Sequence, residues 1–358
     1  MLGGRAATLC ALAALLVLAL AGCESTAPVN PGGPRQPAFP TPSGTAVVCV
    51  SPACAATDVQ VFVEPDAGEA PILHAIEYAS HSLTVEVYLL TDHTITRALE
   101  DAARRGVAVR VLLEAHPFGG GDVSAARTIE ELSAAGVQAQ PANPAYHFTH
   151  AKFLIVDGAT LYVLTANLSR SALGGSSAQA NREYGLIDTN TADVAEARAI
   201  FDADWRRTPT PPLADSRLVV SPVNARPTLA ALIASAHTSL RVEDEEMYDT
   251  ASEDALIAAA KRGVEVDVIL PAPADGFAAT TDVARLLRGG VHVRYLVAPY
   301  LHAKLLVADG VLAFAGSENF SATSLDENRE LGLIVADPHA LAVFASVFAQ
   351  DWSLAQPP

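Results

Sequence analysis

The chain has 358 residues, of which 50% are hydrophobic and 18% are charged. This composition excludes wholesale disorder, and the length suggests two domains or one domain built from two similar halves. With 23 basic against 40 acidic residues the net charge is −17. The broad positive field that usually supplies affinity for nucleic acid is therefore missing, and nucleic acid is not an expected partner.

The N-terminal residues have the pattern of an export signal. Arg5 precedes an apolar run at residues 9–21, which is too short to span a bilayer comfortably and is typical of a signal-peptide core. Residues 20–23 (LAGC) resemble the lipobox of bacterial lipoproteins. This resemblance implies removal of residues 1–22, lipidation of Cys23 and a membrane-anchored protein on the periplasmic or cell-surface side. An ordinary secretory signal with an incidental cysteine is the alternative.

Residues 23–45 are predicted to form an extended tether, because they are rich in Pro, Gly, Ser and Thr. Cys49 and Cys54 follow this segment. In an exported chain their spacing favours a small disulfide loop, and two free thiols are the alternative. The pair does not resemble a metal site, since no further cysteine or nearby histidine pair completes one.

The remainder of the chain is predicted to alternate helices and strands. In the first half a helix (70–79), a strand (83–90), a helix (95–105) and a strand (107–113) follow one another. Gly106 suits the left-handed position past a helix end. The later elements are a helix, three strands and a last helix, placed at 125–135, around Lys152, at 160–164, at 184–187 and up to Trp205. This alternation predicts an α/β fold with a mixed, largely parallel sheet covered by helices.

Several stretches of the sequence occur twice. Residues 105–113 match 262–270 at an offset of 157, and residues 181–187 match 328–334 at an offset of 147. The smaller second offset indicates deletions in loops. We infer an internal duplication, with a first half at residues 46–213 and a second half at residues 214–358.

The duplicated sequence includes a histidine, a lysine and an aspartate at one spacing, in residues 150–157 (HAKFLIVD) and 302–309 (HAKLLVAD). On a strand, residues two apart project from the same face, so each histidine and its lysine can address one substrate. Packing of the halves about a pseudo-twofold axis would bring both pairs to one pocket. Such a set supplies a nucleophile, an acid and cations for a phosphodiester without a metal.

These residues resemble the signature of the phospholipase D superfamily, H-x-K-x4-D followed by G-S-x-N. The second copy fits in full through residues 316–319 (GSEN). The first copy has residues 164–167 (LTAN), so that leucine and threonine replace the usual glycine and serine. The resemblance extends from about Val59 onward. It implies two α-β-α halves related by a pseudo-twofold axis, each with a mixed sheet flanked by helices.

The resemblance also implies roles for the site residues. One histidine, His150 by family habit, attacks phosphorus to form a phosphohistidine, while His302 protonates the leaving alcohol and later activates water. The phosphate oxygens are expected to be held by cationic, amide and hydroxyl side chains, namely Lys152, Lys304, Asn167, Asn319, Thr165 and Ser317. No cofactor and no metal are implied.

Four acidic residues near the motifs are expected to act indirectly. Glu183 and Glu330 resemble the acidic residues of the family that hydrogen-bond a catalytic imidazole and set its tautomer. Asp157 and Asp309 belong to the two catalytic motifs, but we expect them to brace their loops.

The acidic residues 243–246 (EDEE) are unusual, since the repeat aligns them with the predicted strand residues 86–89 (EVYL). Unpaired charges are disfavoured inside a sheet. One interpretation is a strand end whose carboxylates reach water or pair with arginines. The other is that Glu245 or Glu246 lines the pocket rim, where it binds a cationic lipid headgroup or repels nucleic acid.

Three enzymatic functions follow from these features. We favour a phospholipase D-like hydrolase acting on a phospholipid, because a lipid anchor would hold the site beside that substrate. A phosphatidyltransferase resembling cardiolipin synthase is second, although such enzymes usually carry transmembrane helices and none is predicted after Cys23. A phosphodiesterase of the nuclease branch is third; that branch typically dimerises a one-motif chain, whereas this chain holds both motifs and is expected to be a monomer. A non-enzymatic binding protein is the least favoured class.

Overall fold

The computed structural model describes residues 48, 50–118, 125–175, 180–214, 217–273 and 283–358. The predicted signal peptide, the lipidation site Cys23, the tether and Cys49 lie outside these residues. Cys54 is disulfide-bonded, and its pairing with Cys49 stays a prediction. No helix in the described ranges has both the length and the apolar character needed to cross a membrane.

The strands of the first half form one mixed sheet. Their bounds are β1 Val59–Glu64, β2 Ser82–Val87, β3 Ala108–Leu113, β4 Gln138–Pro141, β5 Phe153–Val156, β6 Thr160–Leu164 and β7 Asn181–Asp188. They lie in the order β1-β7-β6-β5-β2-β3-β4. The helices of this half are α1 Ala70–Tyr78, α2 His93–Arg104, α3 Ala125–Ala134 and α4 Thr191–Arg206.

The second half repeats this arrangement. Its strands are β8 Leu218–Ser221, β9 Ser239–Asp244, β10 Glu265–Pro271, β11 His292–Leu296, β12 Tyr300–Leu301, β13 Lys304–Ala308, β14 Leu312–Gly316 and β15 Glu330–Val335. Its helices are α5 Ala225–Ser235, α6 Thr250–Lys261, α7 Val283–Arg288, α8 Ala322–Asp326 and α9 Pro338–Leu354. The sheet order is β11-β10-β9-β13-β14-β15-β8, which matches the first sheet strand for strand. β12 instead pairs in parallel with β7, so one strand of the second half extends the first sheet.

Two hairpins explain why both sheets are mixed. β5 pairs antiparallel with β6, and β13 with β14, because a tight turn joins each pair. β2, β3 and β4 are parallel, since α2 and α3 connect them. The prediction of a mixed α/β fold in two similar halves is confirmed. The expectation of largely parallel sheets is wrong, because antiparallel pairs outnumber parallel ones among the described strands. The sequence reasoning also missed β1 and β4.

Local signals at helix ends are duplicated as well. Asp92 caps α2 and Asp249 caps α6, each through side-chain oxygens that accept backbone N–H groups of the first turn. Gly106 and Gly263 follow these helices with φ values of +95° and +92°, which favour glycine. The corresponding elements of the two halves therefore begin and end for the same physical reasons.

The halves share a hydrophobic core. Separate apolar clusters pack the outer helices against each sheet. A third cluster contains Phe153 and Phe201 of the first half together with Leu331 and Phe344 of the second half, all with 0% exposure. Because α4 and α9 both contribute to it, the two halves are joined by a continuous apolar core.

Two buried ion pairs cross between the halves within this core. Arg182 donates two hydrogen bonds to Asp351, at 2.6 and 3.0 Å. Arg329 donates two to Asp204, at 2.7 and 3.2 Å. All four side chains are at most 4% exposed. The paired hydrogen bonds compensate for the loss of water around each charge.

We expect Asp351→Ala to lower the free energy of unfolding by about 3–5 kcal/mol, because Arg182 would remain buried without its carboxylate. Asp101→Ala is the matched control, since the pair that Asp101 forms with Arg104 lies on the surface. That change should have an effect below about 1 kcal/mol. Denaturant titration of both variants measures the difference, and equal losses would contradict the structural role of the crossed pair.

Candidate active site

The motif histidines lie where the two halves exchange backbone hydrogen bonds. The backbone N–H groups of His150 and His302 donate to carbonyl oxygens of the opposite half, at 2.8 and 3.3 Å. Lys152 immediately precedes β5, and Lys304 begins β13. Each lysine Nζ donates to the carbonyl oxygen of its own motif histidine, so histidine and lysine lie side by side in both copies.

Each motif imidazole is oriented by a glutamate of the other half. His150 Nδ1 lies 3.0 Å from both carboxylate oxygens of Glu330. His302 Nδ1 lies 2.7 Å from Glu183 Oε1. Both glutamates are fully buried, whereas the imidazoles keep 13% and 11% exposure. A carboxylate at Nδ1 keeps a proton on that nitrogen and directs Nε2 to the reacting group.

Glu183 is itself held by two side chains of the first half. Asn181 Nδ2 donates to Oε1 at 3.1 Å, and the Thr165 hydroxyl donates to Oε2 at 2.6 Å. The sequence reasoning assigned Thr165 to a phosphate oxygen. A hydroxyl has one proton to donate, and this proton is already engaged. In the structure Thr165 therefore supports Glu183 and not a phosphate.

Glu330 has the equivalent support in the second half. The Ser324 hydroxyl and Asn328 Nδ2 donate to Oε1 at 2.8 and 3.0 Å, and Ser317 also hydrogen-bonds this carboxylate. Burial opposes ionisation of Glu330, but His150 outweighs it and holds the pKa below its ordinary value. Sequence reasoning missed Ser324 and Asn328, although the repeated Asn-Arg-Glu segment was the signal that could have found the asparagines.

The two motif lysines are fully buried in different surroundings. Lys304 Nζ donates to Glu245 Oε2 at 2.8 Å. Burial opposes its charge, but Glu245 and Glu183 raise the pKa of Lys304 above its ordinary value. Lys152 Nζ lies 5.4 Å from the ring centre of Tyr88. Burial is the main reason that the pKa of Lys152 falls to about 7.

The predicted phosphate-binding asparagines follow the two motifs in sequence and are both buried. Asn167 is 7% exposed and Asn319 is 3% exposed. The side-chain oxygen of each has no hydrogen-bond partner among the described residues. Their assignment to the phosphate stays a prediction.

The second copy needs glycine at position 316. A Cβ there would overlap the Cα atom of Gly332 and lie 2.6 Å from Glu318 Oε2, which is too close for nonbonded atoms. In the first copy Leu164 takes the place of this glycine and is 1% exposed. Ala166 takes the place of Glu318 there.

The motif aspartates brace turns. Asp157 and Asp309 follow β5 and β13 and have φ values of 53° and 54°. Asp157 accepts the backbone N–H groups of residues 80–82, and Asp309 accepts those of residues 237–239. Each carboxylate thus ties the hairpin turn to the start of the neighbouring strand.

The acidic residues 243–246 are inside the protein. Glu243 and Asp244 are 0% exposed, so the expectation that they reach water is wrong. The Tyr184 hydroxyl donates to Glu243 at 2.8 Å, and burial raises the pKa of Glu243 to about 8. Glu245 lies within the site itself, 2.8 Å from Lys304 and 3.2 Å from His302. Sequence reasoning did not connect Glu245 with the second motif.

No group of three or more histidine, cysteine or carboxylate side chains in the described part of the chain has the arrangement of a metal site. The polar groups that converge on the site are the imidazoles, ammonium groups, amides and carboxylates named above. Two imidazoles, each with a carboxylate at Nδ1 and a buried lysine beside it, can support covalent and acid–base catalysis on an anion.

The fold and this site define a phospholipase D-type protein with two motifs in one chain. A family model described as "Cardiolipin synthase, PLD-like domain" matches residues 72–205 and 229–352. Both half-sites lie within the match. The chain therefore belongs to the phospholipase D superfamily, and within it to the family of PLD-like domains that this model describes.

Individual relatives agree with this assignment. The chain is 26% identical to a probable cardiolipin synthase of Bacillus subtilis over 78% of its own length and 63% of the relative. It is 27% identical to a cardiolipin synthase of Geobacillus kaustophilus over 84% of its length and 67% of the relative. The matched region thus spans about two thirds of the length of these relatives. The crystal structure of phosphatidylserine synthase from Haemophilus influenzae shares the fold, with a TM-score of 0.65 at 12% identity over 85% of this chain and 88% of that one.

The turn aspartates lead to a prediction for acid stability. Partial burial opposes ionisation of Asp309, but the N–H groups of residues 237–239 outweigh it and lower its pKa from 3.8 to about 2. A depressed folded-state pKa stabilises the protein above the unfolded value, and this stabilisation is lost as the pH falls through the folded value. The difference in free energy of unfolding between the wild type and Asp309→Asn should therefore be constant above about pH 5 and narrow toward about pH 2. Urea titrations across this range measure it, and a difference independent of pH would contradict the role of the ionised carboxylate.

Proposed function

We propose that this protein is a phosphatidyltransferase of the cardiolipin-synthase type, acting on the phosphodiester of a phospholipid. The observation that carries the proposal is the family match, which includes both half-sites and describes cardiolipin synthase domains. The similar relatives support the same activity. The sequence alone favoured hydrolysis over transfer. The relatives favour transfer over hydrolysis, because they are described as synthases.

In the first step, one histidine attacks the phosphorus atom of a phosphatidyl donor. His150 Nε2 supplies the electron pair for the new P–N bond, since Glu330 keeps the proton on Nδ1. The P–O bond to the headgroup alcohol breaks, and its oxygen takes a proton from His302 Nε2. Lys152 and Lys304 balance the charge on the phosphate oxygens during this step.

In the second step, the headgroup hydroxyl of another phospholipid is the acceptor. Its oxygen attacks the phosphorus atom and gives its proton to the now neutral His302. The P–N bond breaks, and its electron pair returns to His150 Nε2. With phosphatidylglycerol as donor and acceptor, the products are cardiolipin and one glycerol. Water as the acceptor would give phosphatidic acid, so the fate of the intermediate separates transfer from hydrolysis.

The direct test is the product of the full chain with labelled phosphatidylglycerol in mixed vesicles. We expect cardiolipin and glycerol to appear in equal amounts. Phosphatidic acid without cardiolipin would replace the proposal by a hydrolase. Cleavage of DNA without turnover of lipid would assign the protein to the nuclease type of activity.

We expect His302→Ala to lower the rate of transfer by about 10²- to 10⁴-fold, because the leaving alcohol loses its proton donor. His147→Ala is a matched control in the same assay. Its side chain is 38% exposed and lies 3.8 Å from Glu327, a carboxylate that contacts neither motif histidine in the described structure. If the His302→Ala variant transfers at the same rate as the control variant, the second half-site takes no part in the mechanism.

We also propose that Cys23 carries a lipid and anchors the exported protein to a membrane, on the strength of residues 20–23. Cys23→Ala should then move the protein from the membrane fraction to the soluble fraction and abolish incorporation of a labelled fatty acid. Cys10→Ala is the control, since Cys10 lies in the segment that is predicted to be removed. Membrane association and labelling that persist in Cys23→Ala would exclude this anchor.

A further inference from the structure

The duplication places two chemically different residues at equivalent positions of the site. Residues 82–85 match 239–242 at an offset of 157, so Tyr88 corresponds to Glu245. Both residues stand just past equivalent strands, since β2 ends at Val87 and β9 ends at Asp244. One half-site therefore contains a phenol where the other contains a carboxylate.

Tyr88 gives the first half-site a neutral neighbour. Its ring centre lies 4.7 Å from the ring centre of His150, in an edge-on contact. Its hydroxyl accepts the backbone N–H of Phe118. Burial raises the pKa of Tyr88, so the phenol stays protonated. His150 therefore has a carboxylate at Nδ1, while the ring of Tyr88 packs against its imidazole. Burial lowers the pKa of His150 to about 4, and the imidazole is neutral at physiological pH.

Glu245 gives the second half-site an additional anion. Its Oε2 atom lies 3.2 Å from His302 Nε2 and 2.8 Å from Lys304 Nζ. Its Oε1 atom accepts from the Tyr300 hydroxyl at 3.3 Å. Burial opposes the ionisation of Glu245, but His302 and Lys304 outweigh it and lower its pKa to about 2. The carboxylate is therefore charged.

Together with Glu183 at Nδ1, Glu245 places a carboxylate at each ring nitrogen of His302. Lys304 Nζ, 3.3 Å from Nδ1, donates to Glu245 and to the His302 carbonyl oxygen. Only a doubly protonated ring can donate from both nitrogens. Among the described residues the first half-site has Tyr88 in place of the second carboxylate, and Nε2 of the neutral His150 ring keeps the electron pair that a nucleophile needs. The titratable and charged groups around the Glu245–His302 contact are Glu183 on β7, Tyr300 on β12, Lys304 on β13, the neighbours Asp244 and Glu246, and His150 and Lys152 of the first half.

We propose that Glu245 is a positioning residue that makes the two half-sites unequal by holding a proton on His302 Nε2 in the resting site. This inference rests on the proposed phosphohistidine mechanism. His302 enters the reaction as the acid, and His150 enters as the nucleophile. When a phosphodiester binds, its oxygens replace the carboxylate on Lys304, and the leaving oxygen reaches the proton on Nε2.

The first test varies how strongly the leaving group depends on a proton. A glycerol leaving group needs the proton of His302, whereas p-nitrophenolate leaves without one. Glu245→Gln should lower transfer from phosphatidylglycerol by about 10²-fold but change the first-turnover burst from bis-p-nitrophenyl phosphate by less than about twofold. Glu245→Asp should restore part of the lipid activity, because it restores the anion. Equal losses with both substrates would show a structural role and overturn the inference.

Glu265→Gln is the matched control, since it makes the same change at a surface carboxylate. The Glu265 side chain is 55% exposed and lies 2.8 Å from Arg241. Both activities should stay at the wild-type level. A wild-type enzyme that turns over neither substrate would contradict the proposed function, whereas an active wild type with an unaffected Glu245→Gln variant would contradict only the role of Glu245.

The second test locates the covalent intermediate. Alkaline quenching preserves a phosphohistidine, and mass spectrometry of peptides identifies the modified residue. In the wild type we expect the phosphoryl group on His150 alone. In Glu245→Gln the half-sites become more alike, so a measurable share should appear on His302. A phosphoryl group found on His302 in the wild type would reverse the assigned roles and overturn the inference.

Discussion

The candidate active site depends on two equivalent strands, β7 and β15, whose side chains each reach into the opposite half. In each strand an arginine and the following glutamate act on the opposite half. Arg329 pairs with Asp204 in the shared core, and the adjacent Glu330 pairs with His150 in the site. Neighbouring residues on a strand point to opposite faces, so one backbone register sets both contacts. A shift of either half would therefore disturb the core and the motif imidazoles together, so the candidate site depends on the assembly of both halves.

Burial decides the charge of each group around this exchange. Ionisable groups that are removed from water keep their charge only where a partner compensates for the lost hydration. Glu330 keeps its negative charge beside His150. Burial instead raises the pKa of Glu318, whose side-chain oxygens have no hydrogen-bond partner among the described residues. The acidic composition is thus compatible with the proposed anion site, because Glu330 is paired with His150 and burial raises the pKa of Glu318. In a water-poor site of this kind the remaining donors would act strongly on a bound phosphate.

The sequence was sufficient for the motifs and the duplication, because both depend on residues close together in the chain. The hairpin turns were also predictable, since Asp157-Gly158 and Asp309-Gly310 are the dipeptide typical of such turns. A hairpin joins antiparallel strands, so these turns would have corrected the expectation of largely parallel sheets. The resemblance predicted that Glu183 and Glu330 contact an imidazole, but not that each contacts the histidine of the other half. The contact of Glu245 with the second motif could not be predicted either, because only tertiary packing brings these strands together. Thr165 shows the same limit: its type was compatible with a phosphate, but its position next to Glu183 commits the hydroxyl elsewhere.

Unequal half-sites suit the proposed transfer reaction, which needs one histidine neutral and the other protonated at the start. A duplication by itself produces two equal environments. Tyr88 in the first half and Glu245 at the equivalent position of the second half make the surroundings of the two histidines different. This difference also bears on the charge of Lys304, which is 0% exposed and donates to Glu245 at 2.8 Å. A phosphate that displaces this carboxylate would exchange one anion for another, so Lys304 would keep a partner both before and after the proposed substrate binds.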